Sequence, residues 1–309
     1  MHIEDFLKLF RLSLFSKGEK MWSGAKHGNR YACARDDTSE RFQRNGFGLS
    51  EKRLRSSVRR PSRQQKGLQE VMQLFTLLAF LEPQLEPQKV AVLQRLAEEL
   101  GIEAAVVNDL EQVCRGHVLK AFGDLYRRTF RDLNDDGVVQ GYSRFILPML
   151  GFGIDKIHQA RYQALAGSAP GTLGAGLHAY YDHNGFPYPG SRQGLPYDYV
   201  AAHDVHHVIG GYATDPDGEL QVLAFSMGLF PDHALLIAIP PLMQFQVGIA
   251  DPLASSVAPK LTDQLRAPAF AAALERGANV VGPIRDLHWD FWEWIDRPLE
   301  EVRRDLNVR

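Results

Sequence analysis

Cysteine is nearly missing from this 309-residue chain, with only Cys33 and Cys114 present. Two thiols cannot build a disulfide framework, and no CxxC pair offers the common thiolate zinc or redox motif. A reducing, intracellular setting suits such a composition. Net charge is also low, 35 Lys and Arg against 37 Asp and Glu, which speaks against a general nucleic-acid binder. A long apolar span is lacking too. The greasiest run lies between Asp232 and Asp251 and is interrupted by Pro240–Pro241 and two glutamines, whereas crossing a bilayer takes about 20 cleanly apolar residues. Near the start, Lys8 and Arg11 interrupt the apolar cluster Phe6 to Phe15, and no small-residue cleavage site follows, so no secretory signal is expected. Strand-like alternation is scarce and no internal repeat stands out. What is present is 45% hydrophobic, enough for a buried core. The expected class is all-α, a helical bundle carrying a metal-site helix pair.

Charge is unevenly spread. Residues 1–66 hold 16 basic and 7 acidic side chains, so a basic tail precedes an acidic body. Within it, residues 3–15 have enough 3/4 spacing for a short amphipathic helix of the kind that lies on anionic membranes; the expected reading is a flexible extension, or residues upstream of the true start. From Ser16 to Gly67 the composition is that of a disordered segment. Order is expected near Leu68, where Val71, Leu74, Phe75, Leu78 and Leu81 repeat at helical spacing as far as Pro83. Pro87 suits a first helical turn, Val90, Leu93 and Leu96 follow, and Gly101 suits a C-cap. A third, longer helix is expected over 103–131. This run resembles the TerB-type helical module associated with tellurite resistance, which gives an expected division into 1–66 tail, 67–144 helical N-terminal module and 145–309 metal-binding domain. Asp132, Asn134, Asp136 and Gly137 imitate the first half of a calcium loop, but the twelfth position is Ser143 rather than the Glu that calcium needs.

One stretch concentrates chemistry. In Tyr197-Asp198-Tyr199-Val200-Ala201-Ala202-His203-Asp204-Val205-His206-His207, His203 and His207 are four apart, so a helix presents both imidazoles on one face. Gly210-Gly211 closes that helix. Asp215 is then a good N-cap with Pro216 at the first helical position, which puts Glu219 in the first turn of the next helix. Two imidazoles and a carboxylate suit zinc, iron or manganese. A histidine cluster hydrogen-bonded to Asp204 is the alternative, and His206 is expected to face solvent.

The pattern H-D-x-x-H, eleven residues, then E resembles the signature of the fourth ubiquinone-biosynthesis (Coq) protein family. His203, Asp204, His207 and Glu219 fit it. Pro170-Gly171-Thr172-Leu173-Gly174 is similar to the family's TLG element, followed by Tyr180 and Tyr181, and Trp292-Glu293-Trp294 with "RPLEEVRRDLNV" is similar to its C-terminal end. The resemblance covers about 145–309; Ala202 stands where an Arg often precedes the motif. It implies that His203, Asp204, His207 and Glu219 bind a divalent metal, usually zinc. It also implies action on polyprenylated benzoquinone precursors, with oxidative removal of a ring carboxyl as the lyase-type step. Asp204 and Glu219 are the candidate catalytic carboxylates. Implied partners are the polyprenylated precursor, other quinone-biosynthesis proteins, a second copy of the chain and peripheral contact with the inner membrane of a cytoplasmic protein. Nucleic acid is not among them. A metal-dependent hydrolase and a non-enzymatic lipid-binding scaffold are the rival classes.

An apolar stripe follows Glu219. Leu223, Met227 and Phe230 are candidate lipid-binding residues, because i+4 steps carry the face of Glu219 into Leu223 and Met227. Filling a core is the ordinary role of such a stripe. Pro240-Pro241 marks the place where a helix kink would open a groove.

Overall fold

A computed structural model describes residues 63–133, 138–149, 152–192, 194, 197–253 and 259–309. Twelve α-helices and no strand occur among the described residues, so the chain is all-α. Residues 1–62, including the amphipathic stretch 3–15, lie outside them. Helix α1 (Arg63–Leu78) begins before the expected Leu68, since Arg63, Gln64, Gln65 and Lys66 are good helix formers. Helix α2 (Pro87–Leu100) starts on Pro87 and ends on Gly101, whose backbone N–H caps Ala97 and Glu98. The long third helix expected over 103–131 is instead two, α3 (Ala105–Cys114) and α4 (Val118–Leu133). Gly116 at φ 80° makes the break between them, a conformation that costs glycine little. Helix α5 (Val138–Met149) follows and contains Ser143. Of the calcium-like loop, 134–137 lie outside the described residues.

The expected boundary at 144/145 falls inside α5, and the buried residues of the front helices are continuous with those of the second half. Met72, Phe80, Val90, Leu110 and Leu125 belong to one cluster with Leu223, Met227, Ala238, Leu242 and Phe270 from the second half. The helices that follow are α6 (Lys156–Gln163), α7 (Leu173–Asn184), α8 (Tyr197–Gly210), α9 (Pro216–Leu229), α10 (Ala234–Phe245), α11 (Ala267–Asn279) and α12 (Leu299–Asp305). A second cluster gathers Tyr162, Leu177, Tyr181, Val205, Ile209, Phe225 and Trp292. Helix α9 partitions the two. Leu220 and every residue from Val222 to Leu229 are buried, as befits a helix that is apolar all round. It lies tightly on α11, where a Cβ on Gly277 would run into the Phe225 carbonyl.

No single helix among the described residues is long and apolar enough to cross a membrane; α9 and the segment Pro231–Phe245 are bent by 118°. Helix α10 runs through Pro240–Pro241 with Ile239, Pro240, Leu242 and Met243 buried.

Candidate metal centre

The TLG element sets the first wall of the site. Thr172 caps α7, its hydroxyl accepting from the Ala175 N–H at 3.2 Å. Gly174 donates to the Ile295 carbonyl at 2.8 Å and Leu173 to that of Arg297 at 2.9 Å. The segment after Trp292-Glu293-Trp294 is thereby fastened to the start of α7. Tyr180 and Tyr181 then emerge together from its later turns.

Helix α8 carries the histidines and α9 the carboxylate. As expected, Asp215 caps α9, its side chain accepting from the Gly218 N–H at 2.7 Å, with Pro216 in the first turn. Glu219 thus faces α8. His203 Nε2 lies 3.2 Å from Glu219 Oε2, His207 Nε2 lies 3.4 Å from Oε1, and the two Nε2 atoms are 3.1 Å apart. One ligand atom from each of the three residues falls within 4.8 Å of the others. The His207 side chain is wholly buried while that of His203 is 33% exposed, so the cluster opens to solvent on the His203 side.

Tautomers follow from the partners. His207 Nδ1 sits 3.2 Å from the Tyr212 carbonyl, which can only accept, so Nδ1 carries a proton and Nε2 is the nitrogen left to face a metal. Burial alone would lower the His203 imidazole, but the hydrogen bond and charge of Glu219 outweigh it and hold it above its ordinary value. Burial likewise opposes ionisation of Glu219, and the two imidazoles overcome it, pulling the carboxyl down to about 2. A carboxylate is therefore fixed beside two nitrogens without any metal.

Asp204 does not join the three. One residue along a helix turns the side chain by about 100°, and its carboxylate accepts from Tyr180 Oη at 3.1 Å and from Tyr181 Oη. Burial drives this carboxyl up to about 6, against the pull of His203 and the tyrosine hydroxyls. Both phenols are pushed up, chiefly by burial and by the Asp204 charge. The Tyr180 ring lies 5.3 Å from that of His207 and 5.7 Å from that of Phe186.

His206 corrects the expected exposure: it is 3% exposed. Its Nδ1 lies 2.9 Å from Ser226 Oγ. Ser226 spends its hydroxyl hydrogen on the Val222 carbonyl, so the imidazole is the donor. Burial, then the charges of the neighbouring histidines, push His206 down to about 3. It is a neutral cross-link between α8 and α9.

The candidate lipid-binding residues are corrected in part. Leu223 and Met227 are 4% and 1% exposed and fill the first core cluster. Their helical face does continue from Glu219, but one turn on it is covered by packing. Phe230 is half-buried, 6.1 Å from the His206 ring.

Sequence reasoning passed over Tyr212 and Ser226 as partners of the histidines. A local signal exists for Tyr212, since two glycines before an aromatic residue mark a tight turn; none exists for Ser226. Compared with known protein families and with curated proteins, the chain matches none.

Proposed function

We propose that this is a metal-dependent protein of ubiquinone biosynthesis, binding a divalent metal through His203, His207 and Glu219 and acting on polyprenylated benzoquinone precursors. The observation that carries this is the convergence of three ligand atoms within 4.8 Å from residues in the register H-D-x-x-H, eleven residues, E. The donor set fits the ion. Two imidazole nitrogens and one carboxylate suit zinc, iron or manganese and leave positions for water or substrate. A bound metal supplies Lewis-acid or redox activation of a ring oxygen. The chain's own residues do the rest. Tyr212 fixes the His207 tautomer, Glu219 stays ionised, and Tyr180 with Phe186 offers an aromatic edge beside the opening. Oxidative removal of a ring carboxyl is the proposed reaction: the carboxyl leaves as carbon dioxide and a hydroxyl takes its place, with an external two-electron oxidant such as dioxygen as co-reactant, since zinc, the usual metal of the family it resembles, is redox-inert. The prenyl tail does not run over Leu223 and Met227, so we place it outside the core.

The hydrolase alternative needs a free general base. Asp204 accepts from two tyrosines and Glu219 faces two imidazoles, so neither is free. The scaffold alternative differs only in lacking turnover.

Mass spectrometry of the purified protein tests the metal: we expect one equivalent in the wild type and loss in His207→Ala. A metal-free wild type, or a His207→Ala variant that keeps its metal, overturns the proposal. Quinone intermediates measured in a deletion strain should show a precursor that still bears its ring carboxyl.

A further inference from the structure

The last turn of any α-helix leaves carbonyls without a partner inside the helix. In α8 that turn immediately follows His207, and its carbonyls are taken by arginines from two other helices. Arg303 of α12 donates from Nε to the Ile209 carbonyl at 2.9 Å and from Nη2 to that of Val208 at 3.0 Å. Arg276 of α11 donates from Nη1 to the Gly210 carbonyl and from Nε to that of Arg309. The Arg276 guanidinium also lies 5.4 Å from the Tyr212 ring centroid.

Arg303 is itself held. Its Nη1 meets Glu300 Oε1 at 2.5 Å, and Val302 and Leu306 anchor α12 in the second core cluster. The clamped carbonyls belong to the three residues that directly follow His207. Gly211, at φ 72°, turns the chain so that the Tyr212 carbonyl comes back over His207 Nδ1. Gly210 has no Cβ, and one placed there would strike the Tyr212 ring. The backbone that selects the His207 tautomer is thus fixed from outside α8.

We propose that Arg303 and Arg276 are positioning residues for the metal centre: by gripping the Val208, Ile209 and Gly210 carbonyls they hold the turn whose Tyr212 carbonyl keeps the His207 Nε2 lone pair aimed at the ion. This deepens the metal-centre proposal and rests on it. A plain helix cap stabilises α8 and leaves the His207 tautomer unchanged, whereas a positioning clamp sets tautomer and metal affinity together. Partners that orient a ligating histidine are worth roughly 10- to 100-fold in affinity.

The experiment compares wild type, Arg303→Met, Arg303→Lys and Arg276→Met in the full chain. Zinc affinity is measured by competition with a chromophoric chelator, and the His207 tautomer of the metal-free protein by nitrogen NMR of the ring. We expect Arg303→Met to lose roughly tenfold in zinc affinity and to show a mixed His207 tautomer. Lysine at 303 reaches one carbonyl rather than two and should recover part of both. Arg276→Met should show a smaller loss of the same kind. Zinc affinity within twofold of wild type together with a retained Nδ1–H tautomer overturns the inference. If Arg303→Met does not fold, Arg303→Lys and Arg276→Met decide by the same two readouts. A wild type that binds no zinc sinks the proposed function instead, and the tautomer measurement then judges the clamp alone.

Discussion

The front helices and α9 solve the same burial problem differently. Along α4, Ala121, Phe122, Leu125 and Phe130 point into the core while Lys120, Arg127 and Arg131 stay exposed, the one-sided pattern of a surface helix. Helix α9 has no such outer face beyond its first turn. Polar groups on it survive only with partners: Glu219 has two imidazoles, and Ser226 has His206 and a backbone carbonyl. The difference teaches where chemistry can be stored. A one-sided helix keeps its charges in water, where they do little, whereas an enclosed helix holds its few polar groups in fixed geometry. Truncation inside α9 should therefore cost far more than truncation at a front surface. Phe225, wholly buried against Tyr212 and His206, should lose about 3–5 kcal/mol on conversion to alanine. Val92→Ala, at a site 54% exposed on α2, should stay within about 0.5 kcal/mol. Chemical denaturation of both variants measures the contrast; a Phe225→Ala cost below about 1 kcal/mol breaks it.

Among the described residues of the front half, a buried charge sharpens the comparison. Asp109 is 3% exposed and its carboxylate meets Arg128 of α4. Burial raises this carboxyl to about 6 despite the arginine, so the folded state is favoured at low pH, and that advantage fades as pH rises from 3.8 through about 6. Arg128→Met leaves the carboxylate buried without its fixed cation, which should cost about 3 kcal/mol at pH 8. Losing the arginine also removes a downward pull, so protonation relieves the variant, and its deficit should shrink at pH 5. Urea titrations at the two pH values check this. A deficit equal at both would mean that Asp109 is not the group left exposed to the penalty.

Much of this was legible beforehand. Helical spacing from Val71 to Leu81, Pro87 and Gly101 mark α1 and α2, and Asp215-Pro216 marks the start of α9 and hence the position of Glu219. The i,i+4 rule alone puts His203 and His207 on one face. Other features depend on chain segments far away. Asp204 turns to tyrosines 23 and 24 residues earlier, and His206 is buried because α9 lies over it. Leu223 and Met227 do share the face of Glu219, yet amphipathic reasoning cannot say which part of a face meets solvent and which meets a neighbouring helix. The front helices share one apolar cluster with residues of α9, α10 and α11, and α1 and α4 touch α10; an apolar face does not name its partner in the sequence. The break at Gly116 was readable from its glycine, but the apolar pattern on both sides of it masked the signal.

The smallest expected effect separates the two kinds of buried carboxylate by what their partners can do. Asp109 faces a guanidinium, a group that does not exchange its proton for a metal, whereas the imidazole facing Glu219 can give one up. In the metal-free protein, Glu219 is held at about 2 against an ordinary 4.5, so its contribution to stability is present above pH 4.5 and lost as pH falls through about 2. His203 is held above its ordinary 6.5, so its contribution is present below pH 6.5 and lost as pH rises through the raised value. Both are in force between pH 4.5 and 6.5, where the empty site should add most to stability. A metal needs His203 Nε2 without its proton. Below the raised His203 value, zinc affinity should then fall by up to about tenfold per pH unit, or about 1.4 kcal/mol. The zinc-induced rise in Tm should accordingly grow from pH 5.5 to pH 7.5 as the metal takes over from the proton. In Glu219→Gln the charge that holds His203 up is gone, so the metal-free protein should lose its window of extra stability between pH 4.5 and 6.5. Scanning calorimetry with and without zinc reads both changes. A zinc increment that is flat across this range would show that no proton leaves the triad on binding, and the contrast with Asp109 would fail.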